Sequence, residues 1–147
     1  MTPDIPRPVL KGKKALVIGV ANDSSIAYGC AKAFRELGAD VAITYLNDKA
    51  KPHVEPLARE LEASLFLPLD VAVPGALERV FEEVAAKWGK LDILVHSIAF
   101  APKEDLQGGL LNCSAEGFAK AMDVSCHSFV RMAKLAAPLM TDGGTMF

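Results

Sequence analysis

The feature that most constrains this chain is a regular alternation of two kinds of apolar patterning. Short runs of β-favouring residues are each followed by a segment whose apolar residues recur at helical spacing. Ala15 to Val20, Ala-Leu-Val-Ile-Gly-Val, is apolar on both faces, as a strand buried on both sides must be. Ile26, Cys30, Phe34 and Leu37 then recur at helical spacing, with Ser24 or Ser25 placed to cap the helix and Gly38 to end it. The same alternation repeats. Asp40 to Tyr45 predicts a second strand, and a helix follows between Ala50 and Glu62 whose start Pro52 and Pro56 confine. Leu65 to Asp70 predicts a third strand, where Pro68 suits an edge or a strand end. Leu77, Val80, Phe81, Val84 and Trp88 predict the next helix, Leu91 to Ser97 a fourth strand, and Ser114 to about Ala137 one long helix carrying Phe118, Met122, Phe129 and Met132. Thr145 to Phe147 reads as a fifth strand just begun.

Strands alternating with helices at this spacing pair in parallel through right-handed crossovers, so the expected fold is an α/β, doubly wound parallel sheet of Rossmann type. The chain is expected to be one partial dinucleotide-binding domain over 1–147, truncated within or just after the fifth strand, because it stops inside an apolar segment with nothing to close the sheet edge. Its 147 residues suffice for one domain and not for two ordinary ones.

Composition narrows the function. With 16 basic and 18 acidic residues there is no broad cationic field to hold nucleic acid or an anionic membrane. Three cysteines, Cys30, Cys113 and Cys126, show no paired spacing, so no disulfide framework and no metal site is expected. The Pro-containing lead from Met1 to Lys14 does not read as a signal peptide, and no later stretch approaches a membrane span; the expected location is cytoplasmic.

In such a sheet, ligands sit outside the carboxyl ends of the strands. The first end reads Gly19-Val-Ala-Asn-Asp-Ser-Ser25-Ile26-Ala27, which is not Gly-x-Gly-x-x-Gly. Gly19 still lets backbone approach a pyrophosphate, Ser25 can donate a hydroxyl, and a helix starting at Ile26 offers free N–H groups; an ordinary turn with a serine cap explains the same residues. The second strand ends at Leu46, neither the acid that holds the ribose of NAD nor the base that holds the extra phosphate of NADP. Asp48 would repel that phosphate and Lys49 and Lys51 attract it, which leaves NADH preferred over NADPH. Asp70 can meet adenine or cap its own turn, and His96 can be a hydrogen-bonded core histidine. Tyr45 and Lys49 have the spacing of a proton-donating Tyr-x3-Lys pair, but Tyr45 ends a strand and the two side chains should diverge. Tyr28, in the first helix, is read as having no lysine on its own turn, so no acid/base pair is expected.

Taken together, Gly19-x5-Ser25-x-Ala27, Asp70-Val71 and His96-Ser97-Ile98-Ala99-Phe100-Ala101-Pro102 resemble the NADH-dependent enoyl-acyl-carrier-protein reductases of type II fatty-acid synthesis. The likeness extends to Ser25 through Gly29, to Tyr45-x-Asn47-Asp48 and to Ser128-Phe129-Val130, and runs from about Leu10 onward. It implies a divergent short-chain dehydrogenase/reductase in which Gly19, Ser25 and Ile26 hold the pyrophosphate, Asp70 and Val71 the adenine beside Leu46, and Ser97 and Ile98 the adenosine and nicotinamide ribose surroundings. Ala101 matches a position lining the acyl pocket. Leu46, where the family often has glutamine or a basic residue, and Ala99, in place of a common glycine, depart from its pattern. The resemblance also implies an enoyl thioester on acyl carrier protein as substrate, a homo-oligomer (the family tetramer), and a catalytic Tyr-x6-Lys motif expected beyond Phe147. The chain alone is therefore expected to be inactive, and to self-associate through the Phe118 to Met132 stripe. Two alternatives remain open: another short-chain dehydrogenase acting on carbonyls, and a non-catalytic dinucleotide-binding or interaction module.

Overall fold

A computed structural model describes residues 8–147. The part of the Pro-containing lead before residue 8 lies outside the described residues. Five strands, β1 (Lys14–Ile18), β2 (Asp40–Tyr45), β3 (Leu65–Pro68), β4 (Ile93–His96) and β5 (Thr145–Met146), form one parallel sheet in the order β3-β2-β1-β4-β5. Six helices connect them: α1 (Ile26–Glu36), α2 (Lys51–Glu60), α3 (Ala76–Trp88), the short α4 (Lys103–Leu106), α5 (Ala115–Met122) and α6 (Ser128–Ala136).

The strands are legible as strands because both of their faces are covered. Along β1, Ala15 and Val17 face the side of α1 and α2, while Leu16 and Ile18 face the side of α3 and α6. Each face closes a separate core, one around Tyr28, Val41, Ile43 and Val54 and the other around Leu77, Val80, Phe81, Val84, Leu94 and Met132. β1 pairs with β2 through Lys14–Asp40 to Val17–Ile43 and with β4 through Ala15–Ile93 to Ile18–His96. Strand order therefore reverses at β1, and the crevice between the carboxyl ends of β1 and β4 is the topological switch point. Pro68 closes the edge strand β3, where its missing N–H costs no ladder bond to an outer neighbour.

Two expectations need correction. Pro52 does sit in the first turn of α2, but Pro56 lies inside the helix and does not confine its start. The only intrahelical bond Pro56 forfeits is to the Pro52 carbonyl, and both prolines are exposed, so that acceptor is not sealed from solvent. The expected single helix over 114–137 is two helices joined by a π-helical turn, Asp123–His127. The buried Ser128 hydroxyl donates to the Val124 carbonyl at 2.6 Å, competing with the backbone ladder and widening it there. The wider turn splits the apolar stripe. Met132 is fully buried against the sheet, whereas Phe118 and Met122 are exposed, so no continuous stripe from Phe118 to Met132 faces outward.

At the amino end of the sheet, Asp92 is nearly buried just before β4. Its carboxylate accepts the Lys14 N–H at 2.8 Å and pairs with Lys13 Nζ at 3.3 Å and Lys90 Nζ at 3.1 Å. Burial pushes this carboxyl up, but the Lys14 N–H and the two ammonium groups outweigh it and hold the group below the usual carboxylate range. No helix among the described residues is long and apolar enough to cross a membrane.

Candidate functional site

At the switch point, the first residue past β1 must let another strand's turn come close. Gly19 does so with φ +100, a backbone region that L side chains avoid. A Cβ there would collide with the Ser97 carbonyl oxygen and lie 2.7 Å from Ile98 Cγ2, so the β1 and β4 ends meet only because the residue is glycine. The contact is fixed from both sides: Gly19 N–H donates to Thr44 Oγ1 at 3.2 Å, and Ser97 N–H donates to the Ile18 carbonyl at 3.0 Å.

The following turn delivers α1 to the crevice amino end first. Ser25 Oγ accepts from Tyr28 N–H at 3.3 Å and donates to the Asn22 carbonyl at 2.7 Å, so its hydroxyl is a helix cap with its proton engaged locally. Helix geometry leaves the N–H groups of Ile26 and Ala27 without intrahelical acceptors, and they carry the positive end of the helix dipole.

A cavity of about 480 Å³ opens between these elements. It brings together six of the residues singled out from sequence: Gly19, Leu46, Asp70, Val71, Ser97 and Ile98. Ser25, Ile26 and Ala101 are not among the residues that line it, although Ala101 directly follows the lining residue Phe100. Asp70 both faces the cavity and caps its own turn, Oδ1 accepting Ala72 N–H at 2.9 Å. Leu46 is more than half exposed, separating this cavity from a second of about 490 Å³ that runs along α3 and shares Leu46 and Asp70 with it.

Sequence reading missed the far wall. Lys120 of α5 and Val124 of the π-helical turn complete the cavity, and Lys120 Nζ lies 5.2 Å from the centre of the Phe100 ring. Ser125 Oγ fastens that wall to the loop after β4, accepting Phe100 N–H at 3.0 Å and donating to the Phe100 carbonyl at 3.2 Å. Nothing local marks Lys120; only the fold brings it across from β1.

His96 is a half-buried, hydrogen-bonded histidine at the end of β4. Because the Ser128 hydroxyl spends its proton on Val124, the imidazole Nε2–H is the donor in the 2.7 Å bond between them, and the ring packs 5.4 Å from Phe129. Burial pushes its pKa below the ordinary imidazole value. Tyr45, the last residue of β2, is buried with its ring tilted against Phe66 at 4.5 Å between centres, whereas Lys49 lies in the exposed turn that follows. Tyr28 does have a lysine on its turn, contrary to expectation: Lys32 follows at i+4 and its ammonium lies 5.9 Å from the ring centre. That pair faces Glu60 on α2 and not the crevice, and burial with the neighbouring Glu60 pushes the Tyr28 hydroxyl up, opposite to what an acid catalyst needs. Among the described residues, the charged side chains lining the cavity are those of Asp70 and Lys120. Among the described residues no group of side chains is arranged to hold a metal ion.

The crevice is thus equipped to hold a long, partly flat, anionic ligand across several strand ends. A backbone cradle at Gly19, a cation at Lys120 and apolar walls at Val71 and Ile98 suit a dinucleotide, and the turn that follows Gly19 leads into the amino end of α1. Residues 19–147 match the family model described as enoyl-(acyl carrier protein) reductase. The chain is 44% identical over 138 residues to the NADH enoyl-acyl-carrier-protein reductase of Haemophilus influenzae, covering 93% of this chain and 53% of that protein. The solved enoyl-acyl-carrier-protein reductase of Anaplasma phagocytophilum, in complex with NAD, is 43% identical with a TM-score of 0.88, covering 94% of this chain and 53% of the other. That of Bacillus cereus, solved with NADP+ and indole naphthyridinone, is 37% identical with a TM-score of 0.89 over 94% and 55%. The chain spans about half the length of the relatives it matches.

Proposed function

The chain belongs to the enoyl-(acyl carrier protein) reductase family, and from that premise we propose that it is the dinucleotide-holding portion of such a reductase, with NADH lying across the crevice at Gly19. What supports this above all is the Gly19–Ser97 contact, a cradle that a single Cβ would fill and that leaves backbone free beside the amino end of α1. The N–H groups of Ile26 and Ala27 receive the pyrophosphate, with Ser25 ordering the turn that aims them. Asp70 and Val71 border the adenine, Leu46 covers its ribose, and Ser97 and Ile98 border the adenosine and nicotinamide ribose surroundings. Leu46 supplies neither an acid for the ribose hydroxyls nor a cation for a 2'-phosphate, and the NADH named for the Haemophilus influenzae relative supports NADH over NADPH.

In the whole reductase the bound cofactor supplies a hydride for the double bond of an enoyl thioester carried on acyl carrier protein. This chain's residues bind and orient; they do not supply the charge stabilisation that such a reduction requires. Tyr28 and Tyr45 are its two tyrosines, Arg35 and Pro52 stand seven residues after them, and no Tyr-x6-Lys motif is present. The polypeptide is accordingly inactive alone, a portion of a cytoplasmic homo-oligomeric enzyme in which Ala101 borders the acyl pocket. Calorimetric titration with NADH, paired with an assay on a short enoyl thioester, tests this: saturable binding without turnover is expected. Absence of binding at millimolar NADH would overturn the cofactor assignment, and turnover by the mass-verified 147-residue chain would overturn the assignment of catalysis elsewhere.

A further inference from the structure

Arg131, on α6, is an expensive residue where it stands. Its Nε and Nη2 are shut from water without a hydrogen-bond partner, and Nη2 is 3.6 Å from Asp123 Oδ2, beyond hydrogen-bond range. Those two nitrogens lose hydration that the side chain's contacts only partly return. Its one well-formed bond runs outside its own helix: Nη1 donates to the Val71 carbonyl at 3.1 Å. Val71 lines the crevice on the β3 side, and Val124, next to Asp123, lines it on the π-turn side. The guanidinium therefore spans two walls that share no sheet bond, anchored at one end on Val71 and steered at the other by Asp123, itself held by His127 Nδ1 at 3.1 Å.

We propose that Arg131 is a positioning residue for the nucleotide, fixing the Val71 carbonyl and with it the width of the crevice where the adenosine half lies. The inference rests on the dinucleotide reading above and extends it to a residue that lines no cavity. The effect is confined to one end of the ligand, because the nicotinamide side of the crevice is held separately by the Ser125–Phe100 pair. Losing a hydrogen bond from a charged donor loosens the Val71 turn and weakens ADP binding about tenfold.

Isothermal titration of the 147-residue chain with ADP and with NADH, well below the unfolding midpoint, tests this in wild type, Arg131→Ala and Arg131→Lys. The expected result is a parallel loss for both ligands in Arg131→Ala, about tenfold. Arg131→Lys should fall between, since an ammonium reaches Val71 but cannot fork toward Asp123. A merely structural arginine would lower the melting midpoint and leave both affinities of the folded protein unchanged, and that result would overturn the proposal while leaving the crevice assignment standing. Should Arg131→Ala fail to fold, Arg131→Lys carries the same comparison, and wild-type affinity in it would overturn the proposal. Wild-type chain that binds neither ADP nor NADH would overturn the crevice reading, and this inference with it.

Discussion

The two ends of one parallel sheet are finished in opposite ways. At the amino end, Asp92 gathers the Lys14 N–H and two ammonium groups around a nearly buried carboxylate, so polar groups are satisfied within the protein. At the carboxyl end, Gly19 leaves a cradle, Ile26 and Ala27 leave helix N–H groups without partners, and a cavity remains. Satisfied polar groups stabilise; unsatisfied ones facing a cleft are free to take a ligand. Stability and binding therefore separate along the strand axis, and substitutions at the two ends should have separable consequences.

The largest effect is expected at Gly19. Gly19→Val places a branched side chain in a positive-φ position and against the Ser97 carbonyl, which should abolish detectable NADH binding and lower stability by about 3 kcal/mol. Titration calorimetry and urea unfolding read both quantities; retained affinity would break the link between the cradle and the ligand. At the other end Asp92→Ala removes an acceptor shared by three donors and should cost about 2 to 3 kcal/mol in urea unfolding while leaving NADH affinity within about twofold. An equal loss of affinity there would erase the distinction between the ends. Leu46→Arg adds a cation beside the proposed ribose and should improve NADPH binding about tenfold relative to NADH, measured by competition. Unchanged selectivity would move the ribose away from Leu46.

The smallest effect is in the response to acid, which should arrive in two windows. His96, at the open end, has a folded pKa below its ordinary value of 6.5, so the unfolded chain takes up a proton that the folded chain refuses. Its neutral form is tolerated fully above that value, and stability declines as pH falls below about 6.5. Asp92 has a folded pKa below its ordinary 3.8, so its contribution persists above that value and is lost only as pH falls through the lower, folded pKa. Unfolding measured from pH 7.5 to pH 5.5 should therefore show a decline in wild type that is flattened in His96→Asn and retained in Asp92→Asn.

Much of this architecture is legible in the sequence. The strands announced themselves because burial on both faces forces continuous apolar runs, and Pro68, read as suiting an edge or a strand end, closes an edge strand. Six of the nine site residues converge on one cavity because parallel strands must end together on one side of the sheet. What stayed hidden depends on contacts between distant segments. The π-helical turn arises from the Ser128 hydroxyl taking the Val124 carbonyl, and periodicity across 114–137 does not reveal it. Lys120 lines the crevice from α5 and Arg131 bonds the Val71 carbonyl from α6, long-range placements of which helical spacing gave no sign. Lys32 beside Tyr28 was within reach of the i+4 rule, and its role is local packing between α1 and α2.

The most direct test is a two-dimensional amide spectrum of the 147-residue chain titrated with NADH. Shifts concentrated at Gly19 to Ala27, Asp70 to Ala72 and Ser97 to Phe100, with the amides around Asp92 unmoved, are the predicted result. Shifts gathered at the Asp92 end, or none at saturating NADH, would contradict the placement of the nucleotide across the carboxyl ends of the strands.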